Sequence, residues 1–205
     1  YLVVTMNKNL AVDIEEIVSS ADAIERYTIE DQIFLSPDNF IFENEDIKAP
    51  GGTNMVHSDI SMNYFLSDGS ILETVKPGEF YMTQCKADAL GLKAGDKLTI
   101  ELNGESLEVT FKDKIKDALF GSNQLSFTRY VISEEDYNSL VSPEGTETLY
   151  GGNIVYMYSS DVNAVIQQIK PLLDNGILTM DRAFMKFTYV FDMIVVGLLL
   201  VVSLI

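Results

Sequence analysis

Apolar and polar positions follow two rhythms along this chain of 205 residues. Near the start, Val3, Met6, Leu10, Ile14, Ile17 and Ala21 recur at spacings of three and four, which predicts an amphipathic helix over 3–21 with one apolar stripe. After residue 22 the rhythm shortens. Segments 23–29, 32–36, 40–43 and 62–66 are rich in aromatic and β-branched residues and are divided by turn formers such as Ser36-Pro37-Asp38-Asn39 and Ala49-Pro50-Gly51-Gly52, which predicts strands. Residues 44–59 show little periodicity and are expected to form a loop or a hairpin with mobile ends.

The middle of the chain is more legible. Residues 79–84 alternate as a strand does, and 85–90 offer one or two helical turns stopped by Gly91. The alternation returns at 97–102 before Asn103-Gly104, a two-residue hairpin signal whose returning strand carries Leu107, Val109 and Phe111. From 127 the order is strand, helix, strand, helix. Strand 127–132 leads into a short helix with Ser133 as cap and Asp136 at the capping-box position. Strand 154–158 leads into a helix capped by Asp161, expected to be interrupted near Pro171 and ended by Asn175-Gly176. Residues 177–180 form a last short strand, and no repeat of solenoid period is present.

The final stretch asks for lipid. The nineteen positions 187–205 are long enough to cross most of a bilayer at about 1.5 Å per residue, with Phe187, Val190, Phe191, Ile194, Val195, Val196, Leu198, Leu199, Leu200, Val201, Val202, Leu204 and Ile205 as membrane-spanning side chains. Together these favour insertion by about 4–8 kcal/mol, against a cost of about 2.5–3.5 kcal/mol for Asp192 at a helix centre. Asp192 lies towards the start of the run, where a polar tip reaches the interface at lower cost, and Phe184, Phe187, Tyr189 and Phe191 crowd the entry as an aromatic belt. A helix starting near Asp181 puts Phe184, Phe187, Phe191 and Ile194 on one face, a mate for the stripe over 3–21. The chain opens on Tyr1-Leu2-Val3-Val4 without a signal-peptide pattern, and its apolar start and finish read as the ends of two membrane spans around one loop domain.

The expected class is α+β: a mixed lobe with an inserted small β-rich lobe, flanked by stalk and transmembrane helices. In order, 1–21 is the end of a first span and a stalk, 22–68 the first part of the α/β lobe, 69–121 the β-rich insert, 122–180 the second part of the lobe, and 181–205 a stalk and second span.

Composition supports a folded body of one or two domains, with 47% hydrophobic and 22% charged residues. The formal net charge of −17 argues against nucleic acid and anionic lipid surfaces as partners. Cys85 is the sole cysteine, so no disulfide closes within the chain and the fold stands on packing. Candidate chemistry is sparse. His57 is the only histidine, in a turn-rich segment beside Ser58 and Asp59, and is expected in a solvated loop. Cys85 precedes a short helix without a histidine partner and is expected to be small buried filler. Asp38, Glu43, Glu45 and Asp46 lack the ligand spacing of a calcium loop and are expected to form a solvated edge. Neither Gly51-Gly52 nor Gly151-Gly152 is followed by Lys-Ser or Lys-Thr, so no phosphate cradle is encoded. No catalytic residue, metal or cofactor is expected.

Gly78-Glu79-Phe80-Tyr81-Met82, followed by Ala87-Asp88-Ala89-Leu90-Gly91-Leu92-Lys93-Ala94-Gly95-Asp96-Lys97-Leu98, resembles the FtsX-like, MacB-type permeases of ABC transporters. The outer domain of that family has a Gly-Glu strand, a short helix ending in Leu-Gly and a Gly-Asp turn into a hairpin. Gly78, Glu79, Gly91, Gly95 and Asp96 are the turn residues that carry the likeness. Residues 127–137 also resemble the return segment of long permeases from Gram-positive bacteria, whereas 114–121 depart from the family's Val-Gly-Ile type closure. The resemblance implies a non-catalytic domain outside the cell membrane of a Gram-positive bacterium. Its implied partners are membrane lipid, a cytoplasmic ATPase subunit whose turnover moves the spans, and a second permease copy or half. It also implies substrate export or control of a cell-wall enzyme. The alternative is a membrane-anchored sensory or docking domain for an extracellular peptide or wall hydrolase.

Overall fold

The computed structural model describes residues 2–7, 13–57, 64–102, 104–117, 127–141, 151–176 and 178–180. The expected span over 187–205, its aromatic belt and the helix from Asp181 lie outside the described residues. Among the described residues no helix is long and apolar enough to cross a membrane. The architecture is α+β, and the chain divides into two compact units.

The larger unit covers 28–154 together with 7–12. Its strands are β2 (Arg26–Leu35, beginning in the smaller unit), β3 (Phe40–Phe42), β4 (Thr53–His57), β5 (Glu79–Thr83), β6 (Lys97–Leu102), β7 (Glu105–Ile115) and β8 (Phe127–Val131), with helices α2 (Gln84–Leu90) and α3 (Glu134–Leu140). They lie in the order β2-β4-β8-β5-β7-β6-β3. The pairings β4–β8 and β5–β7 are parallel; β2–β4, β5–β8, β6–β7 and β3–β6 are antiparallel. The strands of 69–121 therefore share a sheet with β3, β4 and β8, because β5 lies beside β8 and β6 beside β3.

Alternation divides the side chains between two faces. Leu98, Ile100 and Leu102 of β6 and Val109 and Phe111 of β7 join Ile33, Leu35, Phe40, Phe80, Met82 and Tyr130 in the main core, which also takes Ala87 from α2 and Tyr137 and Leu140 from α3. Phe40 stacks on Tyr130 with centroids 4.5 Å apart, an arrangement that adds to the gain from removing both rings from water. On the opposite face, Tyr81, Ile115 and Val131 pack with Tyr64 and Leu72. The central strands β5 and β8 are thus buried on both sides.

The smaller unit holds most of β1 (Leu2–Asn7), α1 (Ile14–Ser19), the second half of β9 (Gly151–Tyr158), α4 (Val162–Asp174) and β10 (Leu178–Met180). Strands β1 and β10 pair antiparallel, Val4 opposite Met180. Glu25 joins its pieces: its backbone N–H donates to Tyr158 O at 3.0 Å, and its carboxylate accepts from Ser160 N–H at 2.8 Å and Ser160 Oγ–H at 2.5 Å. The Arg26 guanidinium lies 4.2 Å above the Tyr158 ring.

Several elements differ from the sequence pattern. The helix expected over 3–21 is a strand followed by a short helix. The β-branched run Val3-Val4-Thr5 suits an extended backbone, which finds its partner some 170 residues away in β10, while Asp13 starts α1 by accepting from Glu16 N–H at 3.1 Å. The two strands expected over 23–29 and 32–36 are the single strand β2, running through Glu30-Asp31. Residues 53–57, expected in a loop or a hairpin with mobile ends, form β4 between β2 and β8. Of the strand expected at 62–66, residues 64–66 are described, and among them Phe65 is a bridge residue. Helix α4 continues through Pro171 to Asp174, because Pro171 is exposed near the helix end and the Gln167 carbonyl that loses its donor is on an exposed residue.

The turn after α2 follows its sequence closely. Gly91 ends the helix at φ +69° with its N–H on Asp88 O, and Leu92 N–H reaches Ala87 O at 3.0 Å. A side chain at this left-handed position is strained. Gly91→Ala is expected to lower the unfolding free energy by about 1 kcal/mol in urea denaturation, whereas Gly51→Ala, where an added Cβ meets nothing within 4 Å, should change it by less than about 0.5 kcal/mol.

Candidate functional site

The larger unit carries a cluster of charged and polar side chains out of reach of water. Residues 30 and 32 alternate with Ile33 and Leu35 and so face away from the main core. Gln32 lies directly opposite His57 across the β2–β4 pair, and His57 lies beside Val131 across the β4–β8 pair. Arg129, two residues before Val131, shares its face. The sheet registers therefore bring Glu30, Gln32, His57 and Arg129 to one patch, and all four are fully buried.

Arg129 is the centre of this patch. Its Nη1 lies 3.0 Å from Glu30 Oε2 and also donates to Tyr64 Oη, while its Nε lies 2.9 Å from Asp117 Oδ2. Tyr64 O–H donates to Glu30 Oε1 at 3.0 Å, and the Arg129 guanidinium sits 5.3 Å from the centre of the Tyr64 ring. Thr83 Oγ1 accepts from the Arg129 backbone N–H at 3.3 Å. One guanidinium thus answers two carboxylates. Pairing of this quality is what allows charges to leave water, and removing one partner exposes the desolvation cost of the rest.

His57 completes the patch without joining the pairing. Its Nδ1 lies 3.5 Å from Glu30 Oε2, yet burial, reinforced by the positive charge of Arg129, holds its pKa well below the ordinary 6.5. The imidazole is therefore neutral at pH 7, and the approach to Glu30 is not an ion pair. Among the described residues no hydrogen bond reaches either ring nitrogen, nor the amide of Gln32 opposite it. The solvated loop expected at His57 is thus replaced by the buried end of a central strand.

The other singled-out residues lie elsewhere. Cys85 is in the first turn of α2, half-buried rather than fully enclosed, and burial raises its thiol pKa, which disfavours the thiolate. Asp38, Glu43, Glu45 and Asp46 are exposed, and the described residues contain no group of three or more His, Cys, Asp or Glu side chains placed to hold a metal ion. The expected membrane-spanning residues lie outside the described residues.

The turn residues are drawn together by backbone bonds. Gly78 N–H donates to Asp136 Oδ2 at 2.8 Å, Gly78 O accepts from Thr110 N–H at 2.8 Å, and the Glu79 carboxylate meets Lys112 Nζ at 3.2 Å. Asp136, at the expected capping-box position, accepts from Ser133 Oγ–H while tying α3 to Gly78. Gly95, at φ +101°, donates to Phe111 O at 2.9 Å; Asp96 Oδ2 accepts from Lys93 N–H at 2.8 Å and Asp96 O from Phe111 N–H at 2.7 Å. Glu30, Tyr64, Asp117 and Arg129 were not singled out by sequence reasoning. The available signal was a charge inside an apolar run, as in Thr28-Ile29-Glu30-Asp31-Gln32-Ile33 and Phe127-Thr128-Arg129-Tyr130-Val131.

No family model and no curated protein sequence matches the chain. Among solved structures it is similar to a domain of a Porphyromonas gingivalis protein classed as a permease, at 11% identity and a TM-score of 0.47, over 85% of this chain and 82% of that one.

Arg129→Met leaves two carboxylates buried without their cation and is expected to cost about 3–5 kcal/mol in urea unfolding at pH 7.5, part of it recovered by adding Glu30→Gln and Asp117→Asn. The depressed pKa of His57 gives a second expectation. Its contribution to stability is complete above pH 6.5 and falls as the pH drops from 6.5 towards the folded pKa, because the unfolded chain takes a proton that the folded chain refuses. The difference in unfolding free energy between wild type and His57→Gln should therefore shrink by up to about 1.4 kcal/mol per pH unit below 6.5.

Proposed function

We propose that this chain forms the extracytoplasmic domain of a permease subunit of an ABC transporter, attached to the cell membrane through 187–205. The domain is non-catalytic. A separate cytoplasmic ATPase drives the membrane helices, and the domain converts their motion into export or handling of a substrate outside the membrane.

The observation that carries this reading is the behaviour of Gly78, Glu79, Gly91, Gly95 and Asp96. Among the residues behind the permease resemblance, Gly78, Gly91 and Gly95 take left-handed φ, Asp96 caps its own turn, and Gly78 joins the start of β5 to α3. Their likeness to the family pattern thus has a conformational cause, since a strand, helix and hairpin can be joined this tightly only with glycine and a turn-capping aspartate at those places. The apolar run 187–205 supplies the membrane attachment that such a role needs.

A docking role for an extracellular peptide or wall hydrolase is the second reading. It is favoured by Phe65 and Ile71, bridge partners that each keep 46% of their surface exposed. In the intact complex, deleting 22–180 should abolish export while leaving ATP binding to the ATPase unchanged; undiminished export overturns the transporter reading. Inserting a Gly-Ser linker between Met180 and Asp181 should uncouple export from ATP turnover with membrane insertion preserved, and full activity after that insertion reduces 181–205 to an anchor. Specific retention of a partner by the domain, with export independent of it, selects the docking role.

A further inference from the structure

The segment 64–72 folds back on itself as a small hairpin: Leu72 N–H donates to Tyr64 O at 2.8 Å and Leu66 N–H to Ser70 O at 2.8 Å. Two attachments hold it to the larger unit. Along one edge, Lys116 N–H donates to Phe65 O at 2.8 Å. From its base, Tyr64 reaches into the buried cluster and donates to Glu30, while Tyr64 and Leu72 belong to the same apolar cluster as Val131, the register neighbour of His57. The hairpin thus belongs to the layer covering the face on which the neutral imidazole is enclosed.

We infer that the hairpin 64–72 is an acid-operated latch, closed over a neutral His57 and released when His57 takes a proton. Charged and titratable groups reach this patch from four described elements: Glu30 from β2, Arg129 from β8, Asp117 from the segment after β7, and Tyr64 from the hairpin itself. Gln32 and Thr83 add uncharged polar groups. Glu30 is the shared element, since Oε2 serves Arg129 and Oε1 serves Tyr64. An imidazolium at His57 claims the same Oε2 from 3.5 Å away and repels Arg129, so the junction that secures Tyr64 loosens.

The closed arrangement disfavours that proton, and an opened one, with the ring hydrated, accepts it at ordinary affinity. Linkage then fixes the direction: opening becomes more favourable as pH falls below about 6.5, by up to about tenfold per pH unit. Release uncovers Tyr64 and Leu72 beside the already exposed Phe65 and Ile71, so acid converts a small apolar spot into a larger one.

The test uses the full chain in detergent, in the exchange regime where protection reports the opening equilibrium. Amide hydrogen exchange at Leu66, Leu72 and Lys116, corrected for the intrinsic pH dependence, is read from pH 7.5 to 5 with Thr110 and Phe111 in the neighbouring hairpin as references. The expected result is a loss of protection of up to about tenfold per pH unit below 6.5 at the three latch amides, little change at the references, and no such trend in His57→Gln. Because His57 is the only histidine, its imidazole nitrogen signals in the wild-type chain give a reading that needs no variant. Ordinary titration near pH 6.5 with unchanged latch protection overturns the proposal, as does the same acid-induced loss in His57→Gln.

Discussion

A guanidinium removed from water needs anions around it, and the placement of Arg129 follows from that requirement. It sits on β8, in the middle of the sheet of the larger unit, with Glu30 on a strand two places away and Asp117 on the segment leaving β7. The contacts are non-local: residues 30, 64, 117 and 129 meet only when β2, β4 and β8 have found their registers. A one-residue slip of β2 turns Glu30 to the opposite face, into the main core, and leaves Arg129 without that carboxylate. The cluster therefore penalises wrong pairings in a sheet whose central strands, buried on both faces, specify register only weakly by an alternation of buried and exposed positions.

The two faces of this sheet divide the work. One is a continuous apolar core sealed by α2 and α3, where Phe40, Phe80, Phe111 and Tyr130 supply aromatic bulk. The other is a mixed surface in which Tyr64, Leu72, Tyr81, Ile115 and Val131 pack around the ionic cluster. The first face supplies most of the gain from burying apolar area, and the second makes that gain depend on charge state. His57 and Gln32 add to this, because among the described residues nothing hydrogen-bonds their side chains, and a buried polar group without a hydrogen bond costs about 1–3 kcal/mol. The larger unit holds this arrangement within itself.

How much of this was legible depended on the range of the interaction. Residues 79–111 were read almost to the residue because strand alternation, Gly91, Gly95-Asp96 and Asn103-Gly104 act within a few positions, and the helix starts at Ser133 and Asp161 were read for the same reason. A local signal misleads where it is overruled from a distance. Glu30-Asp31 looked like a break between strands, yet Glu30 is carried inside β2 by a guanidinium 99 residues later. The spacing of apolar residues over 3–21 fitted a helix, yet its first part pairs with β10.

The sequence by itself determined the α+β class, the turn chemistry at Gly91, Gly95 and Asp96 and the hairpin at 97–111, because each is written in propensities and spacings that act along the chain. Tertiary structure alone decided that β4 is a central strand and that a histidine in a turn-rich segment is enclosed and neutral. It also decided that Glu30, Tyr64, Asp117 and Arg129 form one site. The reason is physical: a charge tolerates burial only when a partner arrives, and the arrival of that partner is a property of strand register, which no local stretch of sequence encodes.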